Sequence, residues 1–256
     1  MKTSRRKSKQ VDAATEELAS VIDSARFMFK ELKPTFDDIA DPVQRRAVHL
    51  IHYRLYEALQ ALFELKSVHD DVLLTIKMSR RGPWRGCGIR RSEYLKLVWF
   101  LHINLCYLFE EKVKLVRKTF EAVARLLPDR FDASRLGAVQ KGVSSALKKH
   151  VRARGQTFHQ WYQHHKLLQD YRVIELADRF DGDKKRELVT GLYRLIRQIL
   201  ADEIGESAAV MDLCLIHLAR KEGSHLASCF KMLEKLWANC RTNPSRVQVS
   251  LSESAA

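Results

Sequence analysis

Between residues 152 and 159 the chain reads Arg-Ala-Arg-Gly-Gln-Thr-Phe-His, so six and four residues separate Arg152 and Arg154 from His159. A guanidinium offers phosphate a fixed fork of donors, while imidazole titrates near neutral pH and can carry a proton. Arginine and histidine at this spacing could therefore work on a phosphodiester. The spacing recurs at Arg45 and Arg46 with His52, and at Arg220 with His225. Context singles out His159: it follows two long helical segments, has Phe158, Trp161 and Tyr162 beside it to stack on bases, and lies after Lys148, Lys149 and His150. Other groupings carry less. Glu222 and His225 have the spacing of a di-iron carboxylate pair, but no second copy occurs. His49 and His52 share a helix face without an evident third ligand, and His164-His165 reads as a solvated pair. The phosphate-binding P-loop, the nucleophile elbow and the dinucleotide fingerprint are absent, so neither a metal nor a cofactor is expected.

The segment from Arg152 to His159, in a basic and helical chain, resembles the R-x(4-6)-H signature of the HEPN superfamily, helical-bundle proteins many of which are metal-independent ribonucleases. The resemblance implies that His159 is the general acid/base acting on a ribose 2′-hydroxyl and that Arg154 stabilises charge on the phosphate. Arg152 is then the alternative clamp or a support. It further implies a homodimer that brings two motifs into one cleft facing single-stranded RNA, in a ribonuclease or toxin-type effector that a protein partner could neutralise. Where many family motifs follow the arginine with a polar residue, this chain has Gly155 or Ala153.

Charge agrees with a phosphate-rich partner. The chain carries a formal net charge of +14, and two acid-free segments concentrate it: Lys2, Arg5, Arg6, Lys7 and Lys9 near the start, and Arg80, Arg81, Arg85, Arg90 and Arg91 in the middle. Such clusters attract RNA or another polyanion by counterion release. An alternative function follows: a non-catalytic helical module that binds nucleic acid or protein through the basic segment 79–91.

Five prolines and ten glycines in 256 residues leave room for long helices, and no segment alternates apolar and polar residues with the period of two that strands show. The fold class expected is all-α, a helical bundle with two long central antiparallel helices and additional C-terminal helices. Apolar spacing predicts a helix over 11–32 ended by Pro34, and a long helix from Asp41-Pro42 to about Met78. An exposed loop is expected over 79–91, then a third helix capped by Ser92 and running to Leu127 before Pro128. A fourth runs from Asp132 to about Val151 with an interruption at Gly155, a fifth covers Lys184–Ile204, and a sixth Ala208–Cys240 has a kink at 222–225. The organisation expected is a basic tail over 1–10, one helical domain over 11–241 and a Ser-rich tail over 242–256. Five scattered cysteines without a paired knuckle point to a reducing compartment, and neither a secretory leader nor a membrane span is evident, so a cytoplasmic location is expected.

Overall fold

The computed structural model describes residues 16, 18–26, 36, 37, 39–81, 88–127, 134–159, 165–177 and 183–242. Expectations for residues 1–10, Pro34, Arg85, Pro128, Trp161, Tyr162 and residues 243–256 fall outside them. Every regular element among the described residues is helical. The elements are α1 (Pro42–Arg81), α2 (Arg91–Leu126), α3 (Leu136–His159), α4 (Lys166–Ala177), α5 (Asp183–Leu218), a π-turn at Ala219–Gly223, and α6 (Ser224–Thr242). Residues 18–24 add a further helical stretch. No described helix is long and apolar enough to cross a membrane.

The start of α1 follows the sequence closely. Asp41 Oδ1 accepts from the Val43 amide at 2.9 Å, so the carboxylate satisfies an orphan donor while Pro42 occupies the first helical position, where no amide is needed. The start of α2 does not. Ser92 is buried in the first turn rather than capping it. Glu175 of α4 accepts from the Arg91 and Ser92 amides, both at 3.2 Å, and Glu93 accepts from the Arg90 amide at 3.3 Å. Three orphan amides are met by carboxylates, which the positive end of the helix dipole favours. Between the two helices Gly88 has φ +69°, a left-handed conformation open to glycine.

The remaining differences have local causes. The expected loop over 79–91 is helical through Arg81, and Ser79 is fully buried: its hydroxyl donates to the Ile76 carbonyl at 2.7 Å, and its own carbonyl accepts from Arg197 Nε at 2.8 Å. α3 begins at Leu136 rather than Asp132 and passes through Gly155 without interruption to His159. One interior glycine costs a helix only about 1 kcal/mol relative to alanine. Burial of Leu136, Val143 and Leu147 on one face of α3 outweighs that cost, at about 1.5–3 kcal/mol each. α4 was not expected as a separate helix; it buries Leu168 and Tyr171, one turn apart. The helices expected over 184–204 and 208–240 are divided elsewhere. α5 continues through Gly205 to Leu218, and the break is the π-turn, which overlaps the kink expected at 222–225.

The chain divides into two compact units: unit 1 is 1–66, 112–141 and 212–256, and unit 2 is 67–111 and 142–211. In unit 1 Lys112 Nζ reaches Glu64 Oε2 at 2.6 Å, and in unit 2 Tyr94 donates to the Met78 carbonyl at 2.9 Å. Positions fall along α1 as they rise along α2, the pattern of an antiparallel pair. Unit 1 buries Val48, Ile51, Leu55, Val116, Phe120 and Phe230; unit 2 buries Leu95, Val98, Ile103, Phe109, Tyr171 and Leu200.

Gly223 closes the π-turn in unit 1. A Cβ there would lie 2.9 Å from Val21 Cγ2, so the missing side chain is what lets the 18–24 helical stretch approach. Gly223→Ala is expected to destabilise the protein by about 1–3 kcal/mol through overpacking. Denaturant unfolding checks this, and an unchanged midpoint would contradict it.

Candidate functional site

Unit 2 gathers its chemistry where the buried faces of three helices each place a polar residue. On α2, His102 and Cys106 are one turn apart on the stripe that also buries Leu95, Val98 and Phe109. α3 contributes His150, following Val143 and Leu147 along its buried face. α5 contributes Ser207, one turn after Glu203 and beside buried Ile204. His102, His150 and Ser207 are all nearly inaccessible to solvent.

Their contacts form one network. Ser207 Oγ lies 3.0 Å from His150 Nε2, 3.4 Å from His102 Nε2 and 3.3 Å from the Glu203 carbonyl oxygen. A hydroxyl has one proton and two lone pairs, so donating to the Glu203 carbonyl while accepting from both Nε2–H groups uses its full capacity. That assignment makes each Nδ1 an acceptor. Cys106 Sγ lies 3.8 Å from His102 Nδ1 and 3.6 Å from its Nε2, whereas His150 Nδ1 is buried without a hydrogen-bond partner. The two imidazoles meet edge to face with centroids 4.8 Å apart, and the Trp99 ring contacts both. His165, just before α4, stands edge-on to Trp99 at 5.1 Å and directs Nε2 to Glu203 Oε2 at 3.3 Å; Lys149 reaches the other oxygen at 3.3 Å.

Burial sets the protonation states. It drives His102 down to about 3, with His150 reinforcing the shift, and lowers His150 as well. The Cys106 thiol is pushed up to about 12 by the same cause. Glu203 is held down to about 2, chiefly by its hydrogen bond from His165. For His102 the folded value lies below the ordinary 6.5, so its contribution to stability is present above pH 6.5 and is lost as pH falls toward 3. Glu203 acts in the same direction at lower pH, losing its contribution between about 4.5 and 2. Stability in chelator-containing buffer is therefore expected to fall continuously below pH 6.5, and His102→Gln to flatten the upper part of that fall. A profile flat from pH 6.5 to 5 would contradict this.

The sequence-derived residues are distributed differently. Arg152 is exposed on α3 beside exposed Lys148 and Lys149. Arg154 is half-buried: its Nε donates to Asn104 Oδ1 at 3.1 Å and its guanidinium lies 3.8 Å over the Tyr107 ring. His159 is the last residue of α3, with its side chain outside the described residues. In the basic segment Arg80 is exposed, Arg90 pairs with Glu93 at 3.9 Å, and Arg91 donates to Thr190 at 3.2 Å while lying over Tyr193. The side chain of Arg81 is outside the described residues. Of the other Arg–His pairs, Arg45 donates twice to the Ile39 carbonyl, at 3.0 and 2.7 Å, and His52 packs edge-on to Phe36.

Sequence reasoning passed over His102, Cys106, His150 and Ser207 as a group. The available signal was a histidine and a cysteine at the i, i+4 spacing inside the apolar run 94–109. No family model, curated protein or solved structure matches the chain.

Proposed function

We propose that this chain is a HEPN-like, metal-independent endoribonuclease acting on single-stranded RNA along the C-terminal half of α3. The observation that carries the reading is the continuity of α3 through Gly155 to His159. At about 100° per residue, Lys148, Arg152 and His159 fall within about 40° of one another around the helix, with Arg152 and His159 about 10 Å apart along it. Arg154 and His159 are about 140° apart by the same register. The continuous helix therefore favours Arg152 as the phosphate clamp for His159. Arg154, seated on Tyr107 and Asn104, supports the helix against α2.

In this mechanism His159 takes the proton of the ribose 2′-hydroxyl, and the oxygen attacks the adjacent phosphorus. The P–O bond to the 5′ oxygen breaks, that oxygen leaves with a proton, and a 2′,3′-cyclic phosphate remains. Arg152 and Lys148 offset the negative charge on the non-bridging oxygens. The family resemblance adds that two copies would face one RNA cleft.

The alternative, a binding-only module using segment 79–91, is weakened because Arg90 and Arg91 are engaged within unit 2 itself. The test is incubation of the full chain with labelled single-stranded RNA in chelator over a range of salt. Cutting in chelator that weakens with added salt upholds the ribonuclease. Salt-sensitive binding without cutting, lost when Arg80, Arg81, Arg85, Arg90 and Arg91 are neutralised, upholds the binding module instead.

A further inference from the structure

We propose that His102, Cys106 and His150, with the Ser207 hydroxyl at the fourth position, form a structural zinc site that fastens α2, α3 and α5 together within unit 2. The donor set is what zinc selects: two imidazoles and one thiolate, with little demand for charge elsewhere. The three His and Cys donor atoms all lie within 4.8 Å of one another.

The edges of the cluster can be compared with those of a coordination tetrahedron. Zinc–sulfur and zinc–nitrogen bonds of about 2.3 and 2.05 Å at tetrahedral angles set sulfur–nitrogen edges of about 3.6 Å and nitrogen–nitrogen edges of about 3.3 Å. Cys106 Sγ lies 3.6 Å from His102 Nε2, and Ser207 Oγ lies 3.4 Å from His102 Nε2 and 3.0 Å from His150 Nε2. Closing the widest edge on an ion requires movement on the order of 1 Å.

The group is also closed to substrate: every one of the four residues is buried, and Trp99 covers both imidazoles. Closed sites without an open coordination position are structural rather than catalytic. On binding, the Cys106 S–H bond breaks and its proton goes to solvent, each imidazole proton shifts from Nε2 to Nδ1, and the sulfur and Nε2 electron pairs so freed form the bonds to zinc.

The experiment uses the full chain, stripped with chelator, dialysed, and titrated with Co²⁺ as a spectroscopic stand-in and then with Zn²⁺. Expected are one equivalent of cobalt bound, the intense visible d–d absorption of a tetrahedral ion, and a near-ultraviolet thiolate charge-transfer band, all lost as zinc displaces it. Cys106→Ser should remove the charge-transfer band, and His150→Gln should weaken binding at least about tenfold. Exposed His49→Gln should change neither. A wild-type spectrum without the thiolate band, or an unaltered spectrum in Cys106→Ser, overturns the proposal. Should one cluster variant fail to fold, the other decides, and a wild type without the thiolate band overturns the proposal in either case.

The inference is independent of the ribonuclease reading, because cobalt binding and RNA cutting are separate readouts. Following helical content in the chelator-containing RNA assay distinguishes loss of catalysis from loss of a structural ion.

Discussion

His159→Ala is expected to slow cleavage of single-stranded RNA by about 10²–10⁴-fold while leaving helical content unchanged. That range is what a positioned general acid/base contributes to a proton transfer, and in this mechanism no other group on α3 removes the 2′-hydroxyl proton. His159 ends α3, beyond the buried stripe formed by Leu136, Val143, Leu147 and His150, so truncating it should leave the helix intact. Arg152→Ala should cost about 10²–10³-fold, the scale of one lost transition-state donor. Because Arg154 donates to Asn104 and lies over Tyr107, its replacement should affect stability as well as rate. A purified His159→Ala protein that cuts RNA at the wild-type rate would contradict the assignment, as would Arg154→Ala being the more damaging change at unaltered stability.

Phe109→Ala is expected to destabilise unit 2 by about 3–5 kcal/mol. Its ring is fully buried on the α2 stripe that also carries His102 and Cys106, and truncation removes both the burial of the ring and its packing partners. The loss is comparable with a large fraction of the total stability of a typical domain. Denaturant unfolding should show a lower midpoint with little change of slope. A loss under about 1 kcal/mol would mean that the neighbouring side chains collapse into the space.

Much of the fold was legible because its signals are local. Asp41-Pro42 names its own helix start, and the three- and four-residue apolar spacing of α1 and α2 identifies the faces that become buried. The errors arose where a distant residue decides. Glu175, more than eighty residues away, meets the first amides of α2, so Ser92 was not needed as a cap. Gly155 read as a break, but a helix flanked by a buried stripe absorbs a cost of about 1 kcal/mol. α4 was missed because only Leu168 and Tyr171 mark its buried face, too few for a periodic pattern.

The two candidate sites were legible to very different degrees. Arg152, Arg154 and His159 are close in sequence and could be read directly; what the fold added was the helical register that pairs Arg152 with His159. The cluster of His102, Cys106, His150 and Ser207 spans 105 residues from His102 to Ser207 and exists only once three helices pack. In sequence, His102 and Cys106 are polar positions in an apolar run, and nothing local links them to His150.

Attack of the ribose 2′-oxygen on the phosphorus is the central step of the proposed mechanism. A labelled DNA strand containing a single ribonucleotide, incubated with the full chain in chelator, answers this in one assay. The mechanism predicts a single cut on the 3′ side of the ribonucleotide, leaving a 2′,3′-cyclic phosphate, and no cut in the all-deoxy strand. Cutting of the all-deoxy strand, a 3′-hydroxyl product or an uncut chimera would contradict it.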